Sequence, residues 1–191
     1  MSDTSFTERS AEDLGWSGMF VGPAQDPRSN GSFAGERALL VGYLRDQRLT
    51  LELKCADLDA AALARPSVEP SNVTLLGLVR HMAWVEQFWF RRVMAGEDVR
   101  LHYRSPDDPD LDFNGASPDA AVVAEARSCW RSEVAFAERF VADAPDLDIT
   151  GTLGEERVEL RKVLVHLIAE YARHNGHADF LRERIDGRVG E

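Results

Sequence analysis

Residues 164–179 read Leu-Val-His-Leu-Ile-Ala-Glu-Tyr-Ala-Arg-His-Asn-Gly-His-Ala-Asp, and this stretch decides the predicted fold. Its apolar residues recur at the spacing of an α-helix. At 100° per residue, four polar residues of the stretch lie within about 80° of one another on the helical wheel: His166, Glu170, His174 and His177. Apolar positions flank this stripe, so we expect it to point toward a core. Buried polar groups need partners, and one metal ion can serve several of them.

Glu170 and His174 are one helical turn apart, so their side chains project in the same direction and can reach one ion. A facing helix must supply the third ligand, and His81 is the candidate because it lies midway along an otherwise apolar helix. Three protein ligands leave one coordination position open, as in catalytic zinc sites. A lone histidine on an apolar face is more often a hydrogen-bonded core residue, so the spacing alone leaves metal binding and a structural role both open.

Four predicted helices contain or surround these residues and favour an all-α four-helix bundle. From apolar spacing and from start and stop signals, they span residues 36–59, 74–96, 122–141 and 160–185. Side chains at 71–74 could cap the second helix, and Ser117 followed by Pro118 could cap the third. Gly187 is typical of a left-handed stop after the fourth helix.

The segments outside these helices differ in character. Residues 97–116 form an acidic, turn-rich connection that is long for a bundle, and we expect a lid there, with His102 solvated. Residues 148–160 could form a small hairpin or an extended crossover. Residues 1–33 have the composition of a tail or a wrapping segment, so the bundle is predicted to span 34–187. Three residues could pin that segment to the body: Trp16, Met19 and Phe20.

The composition is that of one soluble globular domain, with 191 residues, 44% hydrophobic and 29% charged. There are 33 acidic and 22 basic residues and no run of lysine or arginine, which argues against a nucleic-acid partner. No apolar run approaches the roughly 20 residues that span a bilayer. Without a secretory signal, we expect a cytoplasmic protein with no membrane partner. Cys55 and Cys129 are expected to be buried free thiols.

Aromatic residues of the second helix are expected to form core and cavity wall rather than a cofactor box: Trp84, Phe88, Trp89 and Phe90. Three residues near His81 are predicted to line a substrate pocket: Val85, Phe88 and Arg92. Arg92 could meet an anionic substrate, and a surface salt bridge is its alternative role.

Three motifs resemble the DinB-like superfamily: the stretch at 164–179, Thr-Leu-Leu-Gly-Leu-Val-Arg-His at 74–81, and the Glu-Arg-x-x-Leu-x-Gly pattern at 36–42. Within that superfamily the chain more closely resembles the actinobacterial branch called mini-circle proteins, and the resemblance covers about residues 35–187. It implies a four-helix bundle of the DinB/YfiT type, with a metal held by a histidine of the second helix and two residues one turn apart in the fourth.

The residues carried over from the resemblance are His81, Glu170 and His174. In many members the place of Glu170 is taken by histidine, and here Asn175 and His177 replace an arginine and a glutamine. A glutamate at that place resembles the metal-binding domain of mycothiol-dependent maleylpyruvate isomerase. That isomerase has a second, sterol-carrier-like domain, which we do not expect here, so isomerisation of maleylpyruvate itself is not implied.

The resemblance implies a metal-dependent S-transferase or isomerase-like enzyme that uses mycothiol or a similar small thiol on a small electrophile. Zinc is the expected divalent metal, with nickel and iron as alternatives, and His177 and His166 could move protons. Two alternatives stay open: a non-thiol oxygenase or hydrolase with iron or nickel, and a metal- or ligand-binding stress protein without turnover. An exposed apolar helix face could support a homodimer.

Overall fold

The computed structural model describes residues 21–22, 25–28 and 33–190. In chain order the elements are α1 (Glu36–Lys54), α2 (Ala60–Leu63), α3 (Leu75–Glu86), a π-helical segment that continues α3 (Gln87–Met94), α4 (Leu111–Asn114), α5 (Ala120–Asp143), β1 (Thr150–Leu153), β2 (Glu156–Glu159) and α6 (Leu160–Asp186). The long helices α1, α3, α5 and α6 pack as a bundle in which α6 contacts α1 and α3, and α3 also contacts α5. The all-α prediction and the hairpin before the last helix are confirmed.

The predicted end of the first helix is wrong by about five residues. Helix α1 ends at Lys54, and Asp57 then adopts a left-handed conformation with φ 59°, which a continuing helix cannot accommodate. Asp59 is extended, and its carboxylate accepts the Ala62 N–H at 2.8 Å, so it caps the separate short helix α2. The apolar pattern runs through both helices and therefore could not reveal the break.

Capping groups explain where the other helices begin and end. Thr74 caps α3 by accepting the Gly77 N–H at 2.9 Å, within the predicted range. The prediction of Ser117 as the cap of the third helix is wrong, because the Asp119 carboxylate caps α5 by accepting the Ala121 N–H at 2.7 Å. Gly187 is left-handed, with φ 77°, and terminates α6 as predicted.

A buried polar network joins all four long helices. Arg48 of α1 donates two hydrogen bonds of 2.8 Å to the Glu86 carboxylate of α3. Tyr171 of α6 donates to the same carboxylate at 2.8 Å, and Trp130 of α5 donates to the Tyr171 hydroxyl at 2.8 Å. Glu86 is fully buried, so each of these donors satisfies a charge that water cannot reach. The network therefore fixes how far each helix can slide along its neighbours.

The connection at 97–116 is folded back onto the bundle. The Gln87 side chain accepts the His102 N–H at 2.8 Å and donates to the Arg100 carbonyl at 3.3 Å. Further along, α4 forms inside the segment, and the Arg80 guanidinium donates to two of its carbonyls at 2.9 Å. These bonds anchor the segment at both ends, and its role as a lid stays a prediction.

The expectation that His102 is solvated is wrong. Its side chain is half-buried, and Nε2 lies 3.2 Å from a Glu133 carboxylate oxygen that belongs to α5. The pKa of His102 is raised to about 9, because hydrogen bonding to Cys129 and Glu133 favours the charged ring. Arg91 donates to the same carboxylate at 2.6 Å. Sequence spacing could not show this contact, since it joins a loop to a helix that lies 31 residues further on.

Part of the segment 1–33 contacts α1. Arg28 donates to the Thr50 hydroxyl at 3.3 Å, and the Phe33 ring lies against Gly42. A Cβ on residue 42 would overlap that ring, so the glycine allows this close approach and a larger residue would displace the ring. Three residues predicted to pin the segment lie outside the described residues: Trp16, Met19 and Phe20. The division into segment and bundle domain stays a prediction.

Both cysteines are free, as predicted. Burial raises the pKa of the Cys55 thiol to about 12, whereas Cys129 is half-buried beside His102. None of the helices among the described residues has the length and apolar character that crossing a membrane requires.

Replacing Glu86 by alanine should lower the free energy of unfolding by about 3–5 kcal/mol, because Arg48 would stay buried without its carboxylate. Glu138→Ala is the matched control, since Glu138 faces the same arginine at 3.8 Å but is exposed, and it should cost less than about 1 kcal/mol. Urea unfolding at neutral pH measures both. Equal losses in the two variants would show that the network does not hold the bundle together.

Candidate metal centre

The structure brings together His81, Glu170 and His174, each half-buried. One ligand atom from each lies within 4.8 Å of the other two. The rings of the two histidines are 4.6 Å apart, so α3 and α6 meet at this point. Among the described residues, no other trio of His, Cys, Asp or Glu meets the same criterion. Convergence of the three side chains is a property of the fold, and metal binding stays a prediction.

The helix pairing explains why these residues meet. His81 lies beside His174, Glu86 bonds Tyr171, and further along the same two helices a tryptophan lies beside His166. Residue numbers rise on α3 while they fall on α6, so the helices run antiparallel. The buried hydrogen bond between Tyr171 and Glu86 fixes the axial position of α6 relative to α3. Because Tyr171 directly follows Glu170 in the sequence, the same bond fixes where this candidate ligand lies.

Asp112 orients His81, a role that no pattern in the sequence indicated. Its carboxylate lies 2.8 Å from Nδ1 of His81, and the residue is 1% exposed. Its other oxygen accepts the Phe113 N–H at 3.0 Å. With Nδ1 engaged, Nε2 is the ring nitrogen of His81 that is left for an ion, and a carboxylate that binds Nδ1 in this way fixes the tautomer of a metal-binding histidine. Asp112 belongs to α4, in a connection without hydrophobic periodicity.

The remaining two candidate ligands contact each other and the two other histidines of the stripe. The Glu170 carboxylate lies 3.4 Å from Nε2 of His174 and 3.9 Å from Nε2 of His166. Nδ1 of His174 lies 3.3 Å from Nδ1 of His177, which is exposed. All four polar residues of the predicted stripe therefore lie in one chain of contacts.

The electrostatics of the cluster favour a neutral His174. Burial lowers its pKa to about 4, and the nearby His81 and His177 rings act in the same direction, against the opposing effect of Glu170. A neutral imidazole has the free lone pair that a metal ligand needs. At neutral pH the ring is therefore ready to bind an ion without first losing a proton.

The donor set suits a divalent ion. Two imidazole nitrogens and one carboxylate oxygen are ligands that zinc accepts, and iron and nickel accept them also. Ligand bonds of about 2 Å place two donor atoms up to about 4 Å apart. Since the three atoms already lie within 4.8 Å, small side-chain rotations would bring them onto one ion.

Aromatic rings enclose one side of the cluster. The His81 ring lies 5.5 Å from Trp84 and 5.6 Å from Phe113, and Trp89 lies 4.7 Å from His166. The three residues predicted to line the pocket differ from one another in burial. Val85 is buried in the core, Phe88 is half-buried with its ring 5.9 Å from Trp84, and Arg92 is exposed. Their role as a pocket wall stays a prediction.

Comparison with known protein families places most of the chain in a described family. The model of the family described as "MST: Mycothiol-S-transferase" matches residues 39–187. The matched range contains the candidate ligands His81, Glu170 and His174, together with Asp112. No curated protein and no solved structure matches the chain.

Asp112→Asn should weaken zinc binding about 10- to 100-fold, because a neutral amide makes the His81 ring a poorer ligand and fixes its tautomer less firmly. Competition with a chromogenic zinc chelator measures the affinity. Asp110→Asn, an exposed change two residues away, serves as the control and should bind zinc like the unmodified protein. An unchanged zinc affinity in Asp112→Asn would remove this residue from the site.

Proposed function

The chain belongs to the mycothiol S-transferase family, and we therefore propose that it transfers a low-molecular-weight thiol, such as mycothiol, to a small electrophilic substrate in a metal-dependent reaction. The observation that carries the metal dependence is the convergence of His81, Glu170 and His174 within 4.8 Å. The family is DinB-like. We place the chain nearest the mini-circle branch of that superfamily, on the motifs at 36–42 and 164–179.

We propose zinc as the ion, held by the two imidazoles and the Glu170 carboxylate. When bound, it would act as a Lewis acid that favours the thiolate form of the co-substrate, which is the nucleophilic form. The glutamate supplies a negative charge that two neutral histidines lack, and so helps to retain a dication. Asp112 adds to this by accepting from His81 at 2.8 Å.

Histidines beside the ligands supply a route for the thiol proton. His177 contacts His174 at 3.3 Å and is exposed, so a proton that it accepts can pass to water. His166 lies 3.9 Å from the other face of the Glu170 carboxylate and is a second acceptor within the same stripe. Both are assigned as general bases because each has a ring nitrogen near the candidate ligands.

The aromatic side of the cluster would receive the electrophile. Trp84 and Phe113 both lie against His81, and such rings bury an apolar substrate while they exclude water from the thiolate. Phe88 continues this wall from Trp84. In this arrangement the helix α6 supplies most of the polar chemistry, and α3 and α4 supply the apolar wall.

With mycothiol and 1-chloro-2,4-dinitrobenzene, the zinc-loaded protein should form the thioether and release chloride. His81→Ala and Glu170→Gln should each lose zinc and at least about 100-fold in rate, because removing one of three ligands leaves the ion weakly held. His102→Gln is the control, since that histidine pairs with Glu133 and not with the candidate ligands. This variant should keep both its zinc and its reaction rate. Absorbance of the product and elemental analysis are the two readouts.

Other outcomes would replace the proposal. Two histidines and one carboxylate are also the donor set of iron oxygenases, so iron in anaerobically purified protein, with oxygen consumed and no thioether formed, would favour that class. Stoichiometric metal together with tight ligand binding, but no consumption of any electrophile in a broad panel, would favour a binding protein. Metal retained in both ligand variants would place the metal site elsewhere.

A further inference from the structure

Arg104 and Trp84 form a stacked pair beside the candidate metal ligands. The guanidinium carbon of Arg104 lies 3.9 Å from the centre of the Trp84 ring. A second neighbour of that indole, besides Phe88, is His81, at 5.5 Å between ring centres. Both residues of the pair are half-buried. The Trp84 ring therefore contacts both the Arg104 cation and the candidate ligand His81.

The pair carries two hydrogen-bond donors without acceptors. Nε1 of Trp84 and Nε of Arg104 are buried and have no partner among the described residues. Leaving a buried donor unpaired is costly, and native structures contain few such groups. In the part of the chain that the structure describes, other buried or half-buried arginines do have acceptors: Arg48 has Glu86, Arg80 has two carbonyls, and Arg91 has Glu133.

We propose that Trp84 and Arg104 form a subsite for a carboxylate, or a similar oxygen acceptor, on the molecule that occupies the metal centre. This rests on the proposed function, which puts a small molecule beside His81. A guanidinium that stacks on an indole keeps its in-plane donors free for such a group. The chain as a whole carries a formal charge of −11, so a cation at this place is a local exception that favours an anion.

The Arg104 side chain can move without breaking a hydrogen bond to the described residues. The backbone around residues 100–102 is tied to Gln87, but within the described residues the Arg104 side chain is held by its stack alone. An acceptor that draws the guanidinium aside would uncover the indole N–H and satisfy both donors. This assigns to Arg104 the anion-binding role that the sequence analysis considered for Arg92, which is exposed.

Binding of matched probes to the zinc-loaded protein tests the subsite. One pair is N-acetylcysteine and its neutral amide, and the other is 4-chloro-3-nitrobenzoate and the corresponding benzamide. Titration calorimetry should show that the carboxylate of at least one pair binds about tenfold more tightly than its amide. Preference within the aryl pair would assign the subsite to the electrophile, and preference within the thiol pair would assign it to a small thiol with a free carboxylate, which mycothiol lacks.

Arg104→Leu should abolish the preference for the carboxylate over the amide. Arg100→Leu, an exposed change in the same segment, is the control and should keep this preference. Trp84→Phe keeps a smaller ring beside His81 and under Arg104 but removes the N–H, so it should reduce the preference for the carboxylate over the amide about threefold. Equal binding of carboxylate and amide in both pairs, no binding of any of the four probes, or a preference that survives Arg104→Leu would overturn the proposal. Because these are binding measurements, they stand apart from the transfer assay, whose failure would instead overturn the proposed function.

Discussion

The arrangement of this bundle depends on one buried carboxylate. Glu86 has no contact with water, and Arg48 and Tyr171 donate the hydrogen bonds that satisfy its charge. Helices α1 and α6 must therefore place these donors level with Glu86 along the bundle axis. A slip of either helix by one turn would leave a charge in the core without a partner, at a cost of several kcal/mol. The antiparallel register of α3 and α6 follows from this constraint, and with it the meeting of His81 with Glu170 and His174.

Two kinds of buried polar group coexist in the structure. The Glu86 network satisfies itself, because every charge has a hydrogen-bonded partner of opposite sign or a hydroxyl. The cluster at His81 differs, since one ligand atom from each of three residues lies within 4.8 Å of the other two. Its internal contact, between Glu170 and His174 at 3.4 Å, involves a histidine whose pKa burial lowers to about 4, and Asp112 engages only Nδ1 of His81. This convergence of ligand atoms is the physical argument for an ion, and the stack of Arg104 on Trp84 extends it to the ligand.

The sequence predicted what depends on periodicity. The stripe at 164–179 and a histidine in the middle of an apolar helix were enough to name the three residues that meet, and the long helices and the hairpin followed from spacing and turn residues. Contacts between distant parts of the chain left no such pattern. Asp112 looked like one of many acidic residues in a loop, and His102 looked solvated, although Asp112 bonds His81 and His102 bonds Glu133. The break after Lys54 was hidden because apolar spacing continues across it.

If two imidazoles and one carboxylate share a single ion, X-ray absorption at the metal edge of the zinc-loaded protein should show them. Before thiol is added, nitrogen and oxygen should lie at about 2.0–2.2 Å from the metal, with the multiple-scattering signature of two imidazole rings. After thiol is added, a sulfur should appear at about 2.3 Å. A sphere of water oxygens without imidazole, or of cysteine sulfur before any thiol is added, would mean that His81, Glu170 and His174 do not hold the ion.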